Sequence, residues 1–155
     1  TGNNRWMVGD STGYSQTTQN TEGRSLYISN DSASYIYQNN SSTYTFAYVQ
    51  VELSDPELEY NLSFDYKVPG GENGWDYLSV YLIDANQAVN SDLYYNSSIP
   101  TLLSKKSYVA DWTNFSYTFP HEMIGETKKI VFMWKNDSAG GSNPPAAVDN
   151  IHIFG

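Results

Sequence analysis

Apolar and polar residues alternate with a period of two over 44–84 and again over 112–154, and no stretch holds a helical period for three turns. The chain therefore reads as strands. In 44–53, Tyr44, Phe46 and Tyr48 fall on one face and Ala47, Val49, Val51 and Leu53 on the other, the pattern of a strand inside a sheet. In 59–68, Leu62, Phe64, Tyr66 and Val68 point inward and leave Asn61, Ser63, Asp65 and Lys67 outside. The next run, 75–84, sets Asp76 in register with Leu78, Val80 and Leu82, while Tyr77, Ser79 and Tyr81 take the opposite face. Two further strands lie at 112–119 and 129–135, and a last one near 147–154. There Ala147, Asp149, Ile151 and Ile153 share one face, and Val148, Asn150, His152 and Phe154 the other.

Short β-prone runs at 5–9, 25–29 and 33–37 add to the count. Loops are marked by polar composition at 10–23 and 136–145 and by the dense turn signal Pro69-Gly70-Gly71-Glu72-Asn73-Gly74. The connection 85–107 is long enough to be a functional loop or to carry small strands of its own, and 120–124 has room for one helical turn. About nine short strands in 155 residues make one all-β domain, a two-sheet antiparallel sandwich spanning 1–155.

Charge narrows the possible partners. With 17 acidic residues against 8 basic ones the net charge is −9, which argues against nucleic acid because phosphate contacts need clustered Lys and Arg. There is no cysteine for a disulfide or a zinc-thiolate site, and no apolar run long enough for membrane insertion. Abundant Tyr, Trp, Asn and Ser suit an extracellular or cell-surface location, with any export signal removed or lying outside this chain. Catalytic motifs are absent. His121 and His152 have no Ser or Asp at a recognisable spacing, and acid pairs such as Asp65 with Glu72 or Asp76 are too common to indicate glycoside hydrolysis. The expectation is a protein that is not an enzyme.

The strongest chemical signal is Asp149, whose parity turns it toward the face of the isoleucines. A carboxylate aimed at an apolar layer is costly unless it is paired, hydrogen-bonded or metal-bound. Asp76 poses the same problem at the start of another strand. If the two strand ends are neighbours, one hard cation neutralises both, and the Asn30-Asp31 turn offers further oxygens. Calcium fits better than zinc because the available donors are oxygens. The alternatives are a buried Asp that accepts backbone N–H groups and, at Asn30-Asp31, an Asx turn joining two strands.

Several segments together carry a family likeness: Asn4-Arg5-Trp6-Met7-Val8-Gly9, Ser25-Leu26-Tyr27-Ile28-Ser29-Asn30-Asp31, Leu62-Ser63-Phe64-Asp65-Tyr66-Lys67, Trp75-Asp76-Tyr77-Leu78-Ser79-Val80-Tyr81 and the closing Val148-Asp149-Asn150-Ile151. In these the chain resembles the choice-of-anchor J domains, grouped with the cleaved-adhesin modules of Bacteroidetes surface proteins and more distantly similar to MAM domains. The resemblance implies a jelly-roll sandwich, structural calcium, and service as an adhesive or glycan-binding module within a longer secreted or surface protein. Family members usually begin with a strand carrying an acid, and this chain starts at or after that point. The ligand expected on these grounds is an oligosaccharide or cell-surface glycan. Trp75, Tyr77 and Tyr81 with Asp65 and Lys67 would line one exposed sheet face, and Tyr94 and Tyr95 a loop wall. A competing expectation is adhesion to a host or extracellular protein, or a structural spacer, since the same residue types serve protein contacts.

Overall fold

The computed structural model describes residues 3–12 and 23–155. Nine strands are present among them: β1 (Arg5–Gly9), β2 (Ser25–Ser29), β3 (Thr43–Glu52), β4 (Asn61–Val68), β5 (Tyr77–Asp84), β6 (Thr101–Lys106), β7 (Val109–Thr118), β8 (Thr127–Asn136) and β9 (Ala147–Phe154). They form a five-stranded sheet of order β1-β2-β9-β4-β7 and a four-stranded sheet of order β3-β8-β5-β6. Every pairing is antiparallel. The fold is a two-sheet β-sandwich, as the alternation predicts, of the jelly-roll kind that the resemblance implies.

Its core lies between the sheets, where Leu62, Phe64, Tyr66 and Val68 of β4 meet Leu78, Val80 and Leu82 of β5 and Ile130, Phe132 and Trp134 of β8. Phe64 stacks on Phe115 at 4.8 Å and meets Phe132 edge-on at 5.2 Å. Strand β8 runs between β3 and β5 and is buried on both faces, which is why Ile130 to Trp134 reads as an unbroken apolar run. Its other face, Val131 and Met133, joins Tyr77, Tyr81 and Ile83 in a second cluster outside the four-stranded sheet. That cluster is roofed by the connection after β5. There a single helical turn, α1 (Asp92–Tyr95), drives Leu93 into it, and Val89, Tyr94 and Ile99 pack alongside.

The long connection thus holds both α1 and β6, the small elements its length allowed for. A 3-10 turn occupies His121–Met123 within the segment with room for one. Residues 33–37 are not a strand. Their backbone is satisfied elsewhere: Asp31 accepts from the N–H groups of Ala33 and Ser34, and the Tyr37 N–H donates to Asn143 Oδ1 at 2.8 Å. Most of the polar stretch 10–23 lies outside the described residues.

Candidate functional site

Asp76 follows the turn after β4. Its backbone and that of Glu72 exchange hydrogen bonds, and Gly71 and Ser142 do the same across to the loop after β8. This brings the carboxylates of Glu72, Asp76 and Asp137 within 4.8 Å of one another. Asp76 is completely buried; its Oδ2 accepts from the Tyr37 hydroxyl at 2.5 Å and its Oδ1 from the Asp137 N–H at 2.9 Å. Burial raises its pKa above the ordinary value, and those two hydrogen bonds only partly oppose that shift. Gly141 closes the cluster. At φ +73°, with its Cα against Tyr37 Oη and Asp76 Oδ2, it leaves no room for a Cβ.

Asp149 does not join this group. The register between β4 and β9 shifts between Ser63 and Asp65, so Val148 and Ile153 both reach the core although they are an odd number of residues apart. Asp149 lies before the shift, opposite Asp65 on the outer face of the five-stranded sheet, and accepts from the Asn150 N–H at 2.8 Å. The inward parity expected of it is therefore corrected by the irregularity at Asn150, whose φ is +50°. Asp31 is likewise committed to its own turn: it accepts from Ser29, Ala33 and twice from Ser34, and these bonds hold its pKa well below the usual carboxylate range. Asn30 Oδ1 is buried without a hydrogen bond.

An all-oxygen set of three carboxylates is the chemistry a hard cation takes, and nothing in it singles out calcium. Glu72 and Asp137 escaped selection as ligands on sequence grounds because both fall in turn segments that have no parity to read. Only the ladder between Gly71 and Ser142 brings them together.

The expected aromatic face is divided by the fold. Asp65 and Lys67 belong to β4, Tyr77 and Tyr81 to β5 of the other sheet and Trp75 to the turn before β5, so the five do not share a surface. Asp65 is buried and accepts from Asn114 and Asn150, each at 2.9 Å, while Lys67 donates to the Thr12 carbonyl at 2.7 Å beneath Tyr35 and Trp112. Tyr77 and Tyr81 are buried under the α1 connection.

What remains open is the rim. Trp75 is 56% exposed and Tyr95 69%. Between them Lys135, flanked in the sheet by Tyr44 and Tyr77, donates to the Trp75 carbonyl at 2.8 Å. Its ammonium lies 5.5 Å from the Trp75 and Tyr77 rings and 5.7 Å from Tyr94. Tyr94 packs on Tyr95 at 5.0 Å, and the Tyr95 and Tyr44 hydroxyls are 2.9 Å apart. Tyr94, Tyr95 and Tyr44 thus form an aromatic cluster at one end of the four-stranded sheet, joined to Trp75 through the buried Lys135 as one ledge.

No family model matches the chain, and no curated protein matches it. Solved structures share its fold. One is a carbohydrate-binding module, TmCBM61 in complex with β-1,4-galactotriose, with a TM-score of 0.50 and 12% identity over 96% of this chain and 87% of that one. Another is the enzymatically active domain of tailspike protein 4 of bacteriophage CBA120, with a TM-score of 0.50 and 12% identity over 99% of this chain. The chain spans only 18% of that tailspike domain. At this identity the likeness defines a class of fold, one shared with a carbohydrate-binding module.

Proposed function

We propose that the domain is a non-catalytic carbohydrate-binding or adhesin module of a secreted or cell-surface protein, as the resemblance to choice-of-anchor J domains implies. The observation that carries this reading is the ledge formed by the exposed Trp75 and Tyr95 with the half-buried Tyr94. Sugars present C–H faces that pack on aromatic rings, and a platform held from below by Lys135 is ordered before the ligand arrives. The fold shared with a galactotriose-binding module supports it. A non-catalytic role is supported by the acid cluster, whose central member Asp76 is sealed from solvent by Tyr37 and Gly141. The calcium implied by the resemblance belongs to the same proposal; Glu72, Asp76 and Asp137 are the described carboxylates grouped closely enough to share it.

Titration calorimetry against a panel of oligosaccharides tests the reading. A ledge buries little area, so the expected dissociation constant is on the order of micromolar to millimolar, with retention on a surface coming from multivalency. Trp75→Ala and Tyr95→Ala, both at exposed positions, are expected to abolish measurable binding without lowering the melting temperature. If neither substitution changes the affinity of a saccharide that binds, the ledge is not the site. If no saccharide binds and the domain instead captures a protein from its native surface, adhesion to protein replaces the carbohydrate reading.

A further inference from the structure

The chain has 17 acidic residues and 8 basic ones, yet two of the eight, Lys105 and Lys135, stand against Tyr77, and a third, Lys106, lines the same cleft. Among the described residues both ion pairs belong to Lys128, with Asp84 and Glu126. Lys105 and Lys106 are exposed at the end of edge strand β6, and among the described residues neither has a carboxylate within ion-pair distance. Lys105 Nζ stands 4.1 Å from the centre of the Tyr77 ring. The two lysines, Tyr77, Asn73, Gly74 and Ser107 line a cleft of about 330 Å³, within the range of small-ligand sites. A second hollow shares Tyr77 and Lys105 with it and runs beside β6 to Pro100 and Leu102. The aromatic ledge begins at the same tyrosine, through Lys135.

Lysines on an edge strand also discourage strand addition. That role accounts for their charge but not for a cleft whose other walls are the edge of the otherwise buried Tyr77, Ser107 and the exposed Asn73. Glu72, next to this turn, packs its carboxylate against Gly140 in the acid cluster. The overall negative charge is screened beyond roughly 8 Å at physiological ionic strength, so the Lys105 ammonium sets the local field in the cleft.

We propose that this cleft recognises an acidic saccharide, a uronate or a sulfated sugar, whose anionic group is held by Lys105 beside Tyr77, with Lys106 at the cleft's rim, while the rest of the chain lies along β6. This rests on the carbohydrate-binding reading and names its ligand class. Each charge-assisted hydrogen bond of this kind contributes about tenfold to affinity.

The test measures the intact domain by calorimetry against three probes of equal length: trigalacturonate, a sulfated trisaccharide and neutral β-1,4-galactotriose. Tighter binding of either acidic probe than of the neutral one, weakening as salt is raised, is the expected result, and the probe preferred names the acid group. Lys105→Gln/Lys106→Gln, at exposed positions, should erase that preference with an unchanged melting temperature. Neutral saccharide binding as tightly as the acidic probes, or a preference that survives the double substitution, overturns the inference and leaves the carbohydrate reading in place. Failure of all three probes and of the wider oligosaccharide panel overturns both.

Discussion

Two aspartates illustrate how the same carboxyl group is turned to opposite ends by its surroundings. Asp31 collects two backbone N–H groups and two hydroxyls, which favour its charged form and hold its pKa below 3.8. The unfolded chain then binds the proton more readily, so the stability Asp31 contributes is complete above about pH 4 and is lost as pH falls further. Asp76 is the reverse case. Its pKa is raised above 3.8 by burial, so between 3.8 and that raised value the folded protein holds more protons, and stability declines as pH rises through the window. In EDTA, Asp76→Asn is expected to flatten this decline, because an amide still accepts from the Asp137 N–H and can donate to Tyr37. Asp31→Asn should lower the melting temperature at neutral pH and approach wild type in acid. Melting temperatures of the three proteins across the acid range check both slopes; parallel curves would mean that neither carboxyl changes its proton affinity on folding.

At the level of elements, the shift in β9 decides which residues face the core. Asn150 takes a left-handed conformation that Asn tolerates, and its amide donates to the buried Asp65 carboxylate. Asn150→Gly keeps the backbone freedom and loses the bond, so a cost of about 1–3 kcal/mol in urea denaturation is expected; an unchanged midpoint would show the bond contributes nothing. This residue also marks where the sequence stops being legible. Alternation and β-prone composition identified eight of the nine strands, and alternation gave the inward faces of β4 and β5, because a period of two survives wherever the ladder is regular. It misassigned Asp149 because parity was carried across an irregularity that composition does not announce. It also left Tyr77 and Tyr81 open to solvent, since Val89, Leu93 and Ile99 are too few and too scattered to reveal that their segment folds back over the sheet. Leu93→Ala removes the keystone of that roof and should cost about 2–5 kcal/mol, read by the same denaturation.

For the whole molecule, the acid cluster ties the β4–β5 turn to the loop after β8, and two agents are able to quiet its repulsion. A proton on Asp76 does so at low pH; a divalent cation on Glu72, Asp76 and Asp137 would do so once that proton leaves. The two compete. Calcium should therefore raise the melting temperature by mass action near neutral pH, and the increment should shrink as pH falls toward the ordinary carboxylate range. Because the net charge is −9, diffuse screening alone gives a small rise with any salt, so magnesium and sodium at matched ionic strength are the necessary comparison. Asp137→Asn keeps the backbone N–H that Asp76 uses and removes one donor oxygen, so it should lose the calcium response while keeping the fold. Asp149→Asn, in the other sheet, should keep that response. Wild-type melts that coincide in EDTA and in excess calcium at neutral pH would assign the cluster to protons and hydrogen bonds alone; a response lost in Asp149→Asn and kept in Asp137→Asn would move the cation to the Asp65–Asp149 pair.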